Sequence, residues 1–77
     1  NILGFNKMKE SSSINETFNL AYKKHKKNFF KKAEYLYKKT LNIDPNHFES
    51  IFLLGTLYAQ TKKFNESLQF LGKAKDI

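Results

Sequence analysis

The side chains in this sequence that could do chemistry are few and badly spaced for it. His25 and His47 stand 22 residues apart, and there is no cysteine. Two imidazoles without thiols or an HExxH pair do not complete a zinc set, so both read as surface histidines and no metal is expected. Gly4, Gly55 and Gly72 are isolated, which excludes a glycine-rich phosphate loop. Seven acidic residues are scattered over polar positions, and no Ser, His and carboxylate triplet can be assembled. No catalytic residue and no cofactor is assigned. Asn15-Glu16-Thr17 and Asn65-Glu66-Ser67 fit the N-glycosylation pattern, a triplet that arises often by chance in an Asn-rich chain. The one concentrated feature is charge. The net charge is +7, all fourteen basic residues are lysine, and eight lie between Lys23 and Lys39 with Glu34 as the only acid among them. Specific phosphate or base recognition favours the guanidinium fork, so an all-lysine patch supports diffuse, sequence-independent attraction to anions. Nucleic-acid binding is accordingly a minor alternative, to be exposed by its salt dependence. Lys31, Lys32, Lys38 and Lys39 read as a solvated face, and an AT-rich genome accounts for the lysine bias equally well.

Composition sets further bounds. Seventy-seven residues make one small domain, and 40% apolar with 16% aromatic residues is enough to fold. No apolar run approaches the length of a membrane span. The absence of cysteine leaves the compartment undetermined, cytoplasmic being slightly favoured over secreted. A start at Asn1 rather than Met points to a processed product or an excised fragment.

The elements that position these side chains are helices. From Asn46 to Ile77 apolar residues recur at three and four, with Leu54, Gly55 and Tyr58 on one helix and Phe64, Ser67, Leu68, Leu71 and Ala74 on the next. Gly55 and Ser67 are small sites on bulky faces, which lets two backbones approach closely as an antiparallel hairpin. The same unit occurs 34 residues earlier. Phe18, Leu20, Phe30, Lys39 and Ile43 recur as Phe52, Leu54, Phe64, Lys73 and Ile77, while Ala21 and Ala33 stand where Gly55 and Ser67 do.

Start and stop signals divide the chain. Ser13-Ile14-Asn15-Glu16 has capping-box spacing and predicts a first helix from Ile14 to Lys27, with Ile14, Thr17, Leu20 and Ala21 facing its partner. Asn28 is expected to cap a second helix over 29–42, buried through Phe30, Ala33, Tyr37, Thr40 and Leu41. Asp44-Pro45 ends it. Asn46, with Glu49 three residues on, opens a third helix over 47–61, and a fourth covers 64–76. Residues 1–13 are expected to be a tail or the end of a preceding unit, 14–47 a first repeat, and 48–77 a second, truncated repeat.

A 34-residue helix–turn–helix period resembles the tetratricopeptide repeat. The residues that carry the resemblance are Leu54-Gly55, Tyr58, Phe64, Ser67, Leu71 and Ala74, and earlier Leu20-Ala21, Phe30, Ala33, Tyr37, Thr40 and Asp44-Pro45. The first unit departs at Lys24, where an aromatic is usual, and at Asn28, where glycine is common. The resemblance implies an all-α solenoid with right-handed superhelical stacking and a concave surface that binds segments of other proteins. Carried over, the inner positions are Asn15, Phe18, Asn19, Tyr22 and Lys26, then Glu49, Phe52, Leu53, Thr56 and Gln60; for Phe18, Phe52 and Leu53 a place in the local core is the competing reading. Some relatives grip a carboxylate terminus with Lys and Asn, but Phe18, Tyr22 and Leu53 occupy three of those sites, so the groove suits an apolar or amphipathic segment. A non-catalytic interaction scaffold is therefore expected. The alternatives are a self-assembling subunit that forms a head-to-tail oligomer or filament and a repeat region of a larger bacterial glycosyltransferase or sulfotransferase. Solenoids of two units leave an end open, and the surface expected to need covering is Leu68, Phe70, Leu71, Ala74 and Ile77.

Overall fold

Four antiparallel helices follow one another along the chain: α1 (Ile2–Lys26), α2 (Phe30–Ile43), α3 (Phe48–Gln60) and α4 (Phe64–Asp76). This computed structural model describes the backbone of residues 2–76 and the side chains of residues 13–76. No strand occurs among the described residues. Contacts run α1 to α2, α2 to α3 and α3 to α4, so the chain is two hairpins stacked in sequence order.

The 34-residue period is visible in the backbone of the two hairpin turns. Among the described residues, Asn28 and Lys62, 34 apart, are the two non-glycine residues with positive φ, at 66° and 64°. In the first turn the Phe29 amide donates to the Lys24 carbonyl (2.9 Å) and the Asn28 amide to that of His25 (3.0 Å). In the second, Lys63 donates to Tyr58 (2.8 Å) and Lys62 to Ala59 (3.1 Å). This paired 6→1 and 5→2 pattern is the Schellman closure of a helix C-terminus. Asn28 is thus the left-handed residue that ends α1 and not the cap of α2; the residue preceding α2 is Phe29, which makes no side-chain cap. The closure also accounts for Lys24 at an aromatic site. Lys24 Nζ lies 5.6 Å from the Phe29 ring, and Lys63 Nζ lies 5.9 Å from the Tyr58 ring. The same two sites hold a cation and a ring in both turns, with the partners exchanged.

Two other boundaries differ from expectation. The first helix runs from Ile2, so Ser13 lies inside it and the Ser13–Glu16 spacing marks no start. Between Phe5 and Lys26 there is neither proline nor glycine to interrupt the helix. α3 is capped by His47 rather than Asn46: His47 Nδ1 accepts from the Ser50 amide at 3.2 Å. Asn46 instead belongs to the preceding turn, its amide donating to Asp44 Oδ1 at 3.0 Å.

The core joins the hairpins through Ala21, Ala33, Leu36, Tyr37, Leu54, Leu57 and Tyr58. α3 lies between α2 and α4 and is apolar on both flanks. Leu54 and Leu57 are buried in that shared core. Toward α4, Ser67 Oγ donates to the Gly55 carbonyl at 2.9 Å, an approach that needs both residues small. Leu20, the match of Leu54, stays 42% exposed, whereas Leu54 is buried in the shared core.

A polar contact between α2 and α3 helps tie the hairpins together. The Tyr58 hydroxyl donates to Glu34 Oε2 at 2.7 Å, and Lys38 Nζ lies 3.1 Å from the same oxygen. Burial pushes the Glu34 carboxyl up, but the Tyr58 hydrogen bond and the Lys38 ammonium outweigh it and hold the group below 4.5. A depressed carboxylate stabilises the fold above its unfolded value and loses that contribution as pH falls through its folded value. Tyr58→Phe is expected to cost about 1–2 kcal/mol at neutral pH. The difference from the parent should shrink as pH drops below 4.5, which urea melts at pH 7 and in that acid range will check.

Candidate interaction surface

His25 is not a surface residue. Only 8% exposed, it is clamped between two other helices: Nε2 lies 2.6 Å from Gln60 Oε1 on α3, and Nδ1 lies 2.8 Å from the Tyr37 hydroxyl on α2. The amide oxygen can only accept, so Nε2 carries the proton and Nδ1 accepts from Tyr37. Burial, with Tyr22 nearby, pushes the Tyr37 hydroxyl far above its ordinary value and keeps it a donor. Around this clamp the rings form a chain. Phe18 stands 5.1 Å from His47, 6.2 Å from Tyr37 and 6.5 Å from Tyr22 between centroids, and His25 meets Tyr37 at 5.7 Å and Phe30 at 6.0 Å.

Against the clamp, α1 and α3 leave a cleft of about 230 Å³ lined by Tyr22, His25, Lys26, Asn28, Leu53, Thr56 and Gln60. Five of these, Tyr22, Lys26, Leu53, Thr56 and Gln60, are inner positions carried over from the sequence. Lys26 Nζ sits 5.3 Å from the centroid of the Tyr22 ring, so the cleft has a cationic and aromatic rim over a Leu53 and Thr56 floor. A neighbouring hollow is lined by Tyr22, Lys23, Lys26 and Lys27, extending the basic rim.

The other five inner positions stand elsewhere. Phe18 is half-buried against the core and the ring chain. Asn15 and Asn19 are exposed on α1. Glu49 is exposed and lies 3.5 Å from His47 Nε2. Phe52 turns away from the cleft, stacks on Phe48 at 6.0 Å and lines a groove with Leu71, Ala74 and Lys75. His25 and Asn28 were missed as lining residues. A signal existed for His25, which follows Phe18 and Tyr22 at the helical offsets of seven and three.

The surface expected to need covering is largely occupied within the second hairpin. Ala74 is 6% exposed. Phe70 is half-buried beside Tyr58 at 5.6 Å, and Leu71 closes on Gly55. Leu68 alone of the set stands open, at 71% exposure, and Ile77 lies outside the described residues.

Among the described residues no group of three His, Cys, Asp or Glu could hold a metal, and no helix is long and apolar enough to cross a membrane. No match emerges among the curated proteins or the solved structures. A family profile described as tetratricopeptide repeat matches residues 36–69, from the second half of α2 through α3 into α4. Repeats of this family point to protein–protein interaction and are generally non-catalytic. The 34-residue recurrence of the turns, the close approach of α3 and α4 at Gly55 and Ser67, and the match across 36–69 agree that this all-α chain carries a tetratricopeptide-type repeat.

Proposed function

We propose that the α1–α3 cleft binds a short segment of another protein, one that carries an apolar anchor beside acidic residues. The observation that supports this reading is the lining of the cleft by five inner positions drawn from both hairpins, with lysine and tyrosine at the rim. The half-exposed Tyr22 ring and Leu53 offer apolar contact, and Lys26 with Lys23 and Lys27 offers positive charge. His25 and Gln60 are engaged with each other and hold the α3 wall against α1, so the cleft is formed before any ligand enters. The role is that of an interaction scaffold. No side chain in the cleft is arranged as a nucleophile with its base.

Fluorescein-labelled peptides containing Phe or Leu flanked by Asp and Glu serve as the probe, with the same peptides carrying Lys in place of the acids as control. Anisotropy is expected to show binding of the acidic set only. Tyr22→Ala removes an exposed aromatic anchor and should weaken binding by about 30-fold, the size of a hot-spot loss. Lys26→Glu should weaken it further in low salt. Equal binding of acidic and basic peptides, or an unchanged affinity in Tyr22→Ala, would sink this reading.

A further inference from the structure

The 34-residue period converts the exposed apolar residues of the second hairpin into a seat. Phe48, Phe52, Phe64 and Leu68 are 44%, 46%, 61% and 71% exposed. Their counterparts in the first hairpin are Ile14, Phe18, Phe30 and Glu34, all of them partly buried. There α3 and its cap cover the surface: Phe18 meets His47, and Glu34 accepts from Tyr58. The corresponding surface of the second hairpin has no helix upon it among the described residues, and a groove of about 330 Å³ between Phe48, Phe52, Leu71, Ala74 and Lys75 marks the place.

Two arguments select the occupant. A second copy cannot use α1 as the first hairpin's seat uses α3. The α3 stripe Ser50, Leu54, Leu57 and Thr61 corresponds on α1 to Glu16, Leu20, Lys23 and Lys27, and Glu16, Lys23 and Lys27 are exposed charges. A head-to-tail contact would bury them against rings. The α4 stripe, in contrast, is self-complementary. Phe64, Leu68, Leu71 and Lys75 are spaced four, three and four, which reads the same in both directions. Glu66 and Asp76 cancel Lys73 and Lys75, so α4 is neutral although the chain is +7.

We propose that two copies of this chain pair through α4 about a two-fold axis, antiparallel, with Phe48 and Phe52 flanking the contact. Leu68 of each copy meets the partner's Leu71, and each Lys75 ammonium meets the partner's Phe64 ring, a cation–π arrangement. An isologous contact of this kind closes at two copies and builds no filament. It leaves the α1–α3 cleft free, and it stands or falls independently of what that cleft binds.

Sedimentation equilibrium tests it. The parent chain should reach twice the 9.1 kDa chain mass and stop there. Leu68→Glu places at 68 the residue that α2 already carries at the matching site 34, so the fold tolerates it; the dimer dissociation constant should rise by about 30-fold or more. Phe64→Glu, which adds an acid to the first turn of α4, should act in the same direction with helicity unchanged. Leu20→Glu, on the α1 stripe, should leave the dimer intact. A monomer at millimolar concentration, growth beyond two copies, or dissociation by Leu20→Glu but not by Leu68→Glu would overturn the proposal.

Discussion

Gly55→Leu is expected to destabilise the chain by about 3 kcal/mol, the upper end for overpacking a close helix contact. The wall it meets is specific. A β-carbon at residue 55 would lie 2.8 Å from Leu71 Cδ2, 3.0 Å from Leu71 Cγ and 3.2 Å from Phe70 Cβ. Leu71 can swing its methyl aside; Phe70 Cβ cannot move without the α4 backbone. Gly55→Ala therefore sets a helix-propensity gain of about 1 kcal/mol against this crowding, and should come out near neutral or mildly destabilising. Leucine gains nearly the same propensity but adds three more carbons to the same place, and the crowding outweighs the gain. The shift also parts Ser67 Oγ from the Gly55 carbonyl, a 2.9 Å bond that depends on the close approach. Ala33→Leu, at the small site on α2 that matches Ser67, where Ala33 is wholly buried, should act in the same direction by about 1–3 kcal/mol. Urea denaturation followed by far-UV circular dichroism measures both. Midpoints equal to the parent's would mean that α3 and α4 are not held this close.

Tyr37→Ala should cost about 3–5 kcal/mol, as large aromatic truncations in cores do. Tyr37 is wholly buried, its ring beside those of Phe18 and His25, and its hydroxyl is the partner of His25 Nδ1. A domain of this length holds about 4–12 kcal/mol in total, so the loss is a large share of the whole and the variant is expected to melt well below the parent. Tyr37→Phe separates the two parts of the loss. It keeps the ring and strands a buried imidazole nitrogen, at about 1–3 kcal/mol. The raised hydroxyl pKa adds a sign that can be checked. A group whose folded value lies above its ordinary 10.0 stabilises the fold below that value and loses the contribution as pH rises past it. The parent should therefore weaken above pH 10 more steeply than Tyr37→Phe. Equal alkaline slopes, together with an unperturbed Tyr37→Phe midpoint, would show that the clamp around His25 contributes nothing.

Periodicity and small residues were enough to read the fold. The recurrence of Phe18, Leu20 and Phe30 as Phe52, Leu54 and Phe64, with Ala33 and Ser67 at one site, determined two helical hairpins because helix packing demands one size class at one position. Asp44-Pro45 determined the break between them because proline cannot continue a helix. Five of the seven residues that line the candidate cleft were legible for the same reason: Tyr22 and Lys26, like Leu53, Thr56 and Gln60, share faces that any straight helix presents. What the sequence could not carry is which neighbour each face meets. Tertiary contact made His25 a buried clamp, since its environment comes from Tyr37, 12 residues away, and Gln60, 35 residues away. It moved the cap of α3 from Asn46 to His47 and made Asn28 the end of α1, because caps depend on backbone angles that several polar residues can adopt. It separated Phe18, drawn into the ring chain, from Phe52, left open, although the period treats them alike. Phe18 has α3 and its cap stacked beyond it, and Phe52 has no further helix beyond it among the described residues.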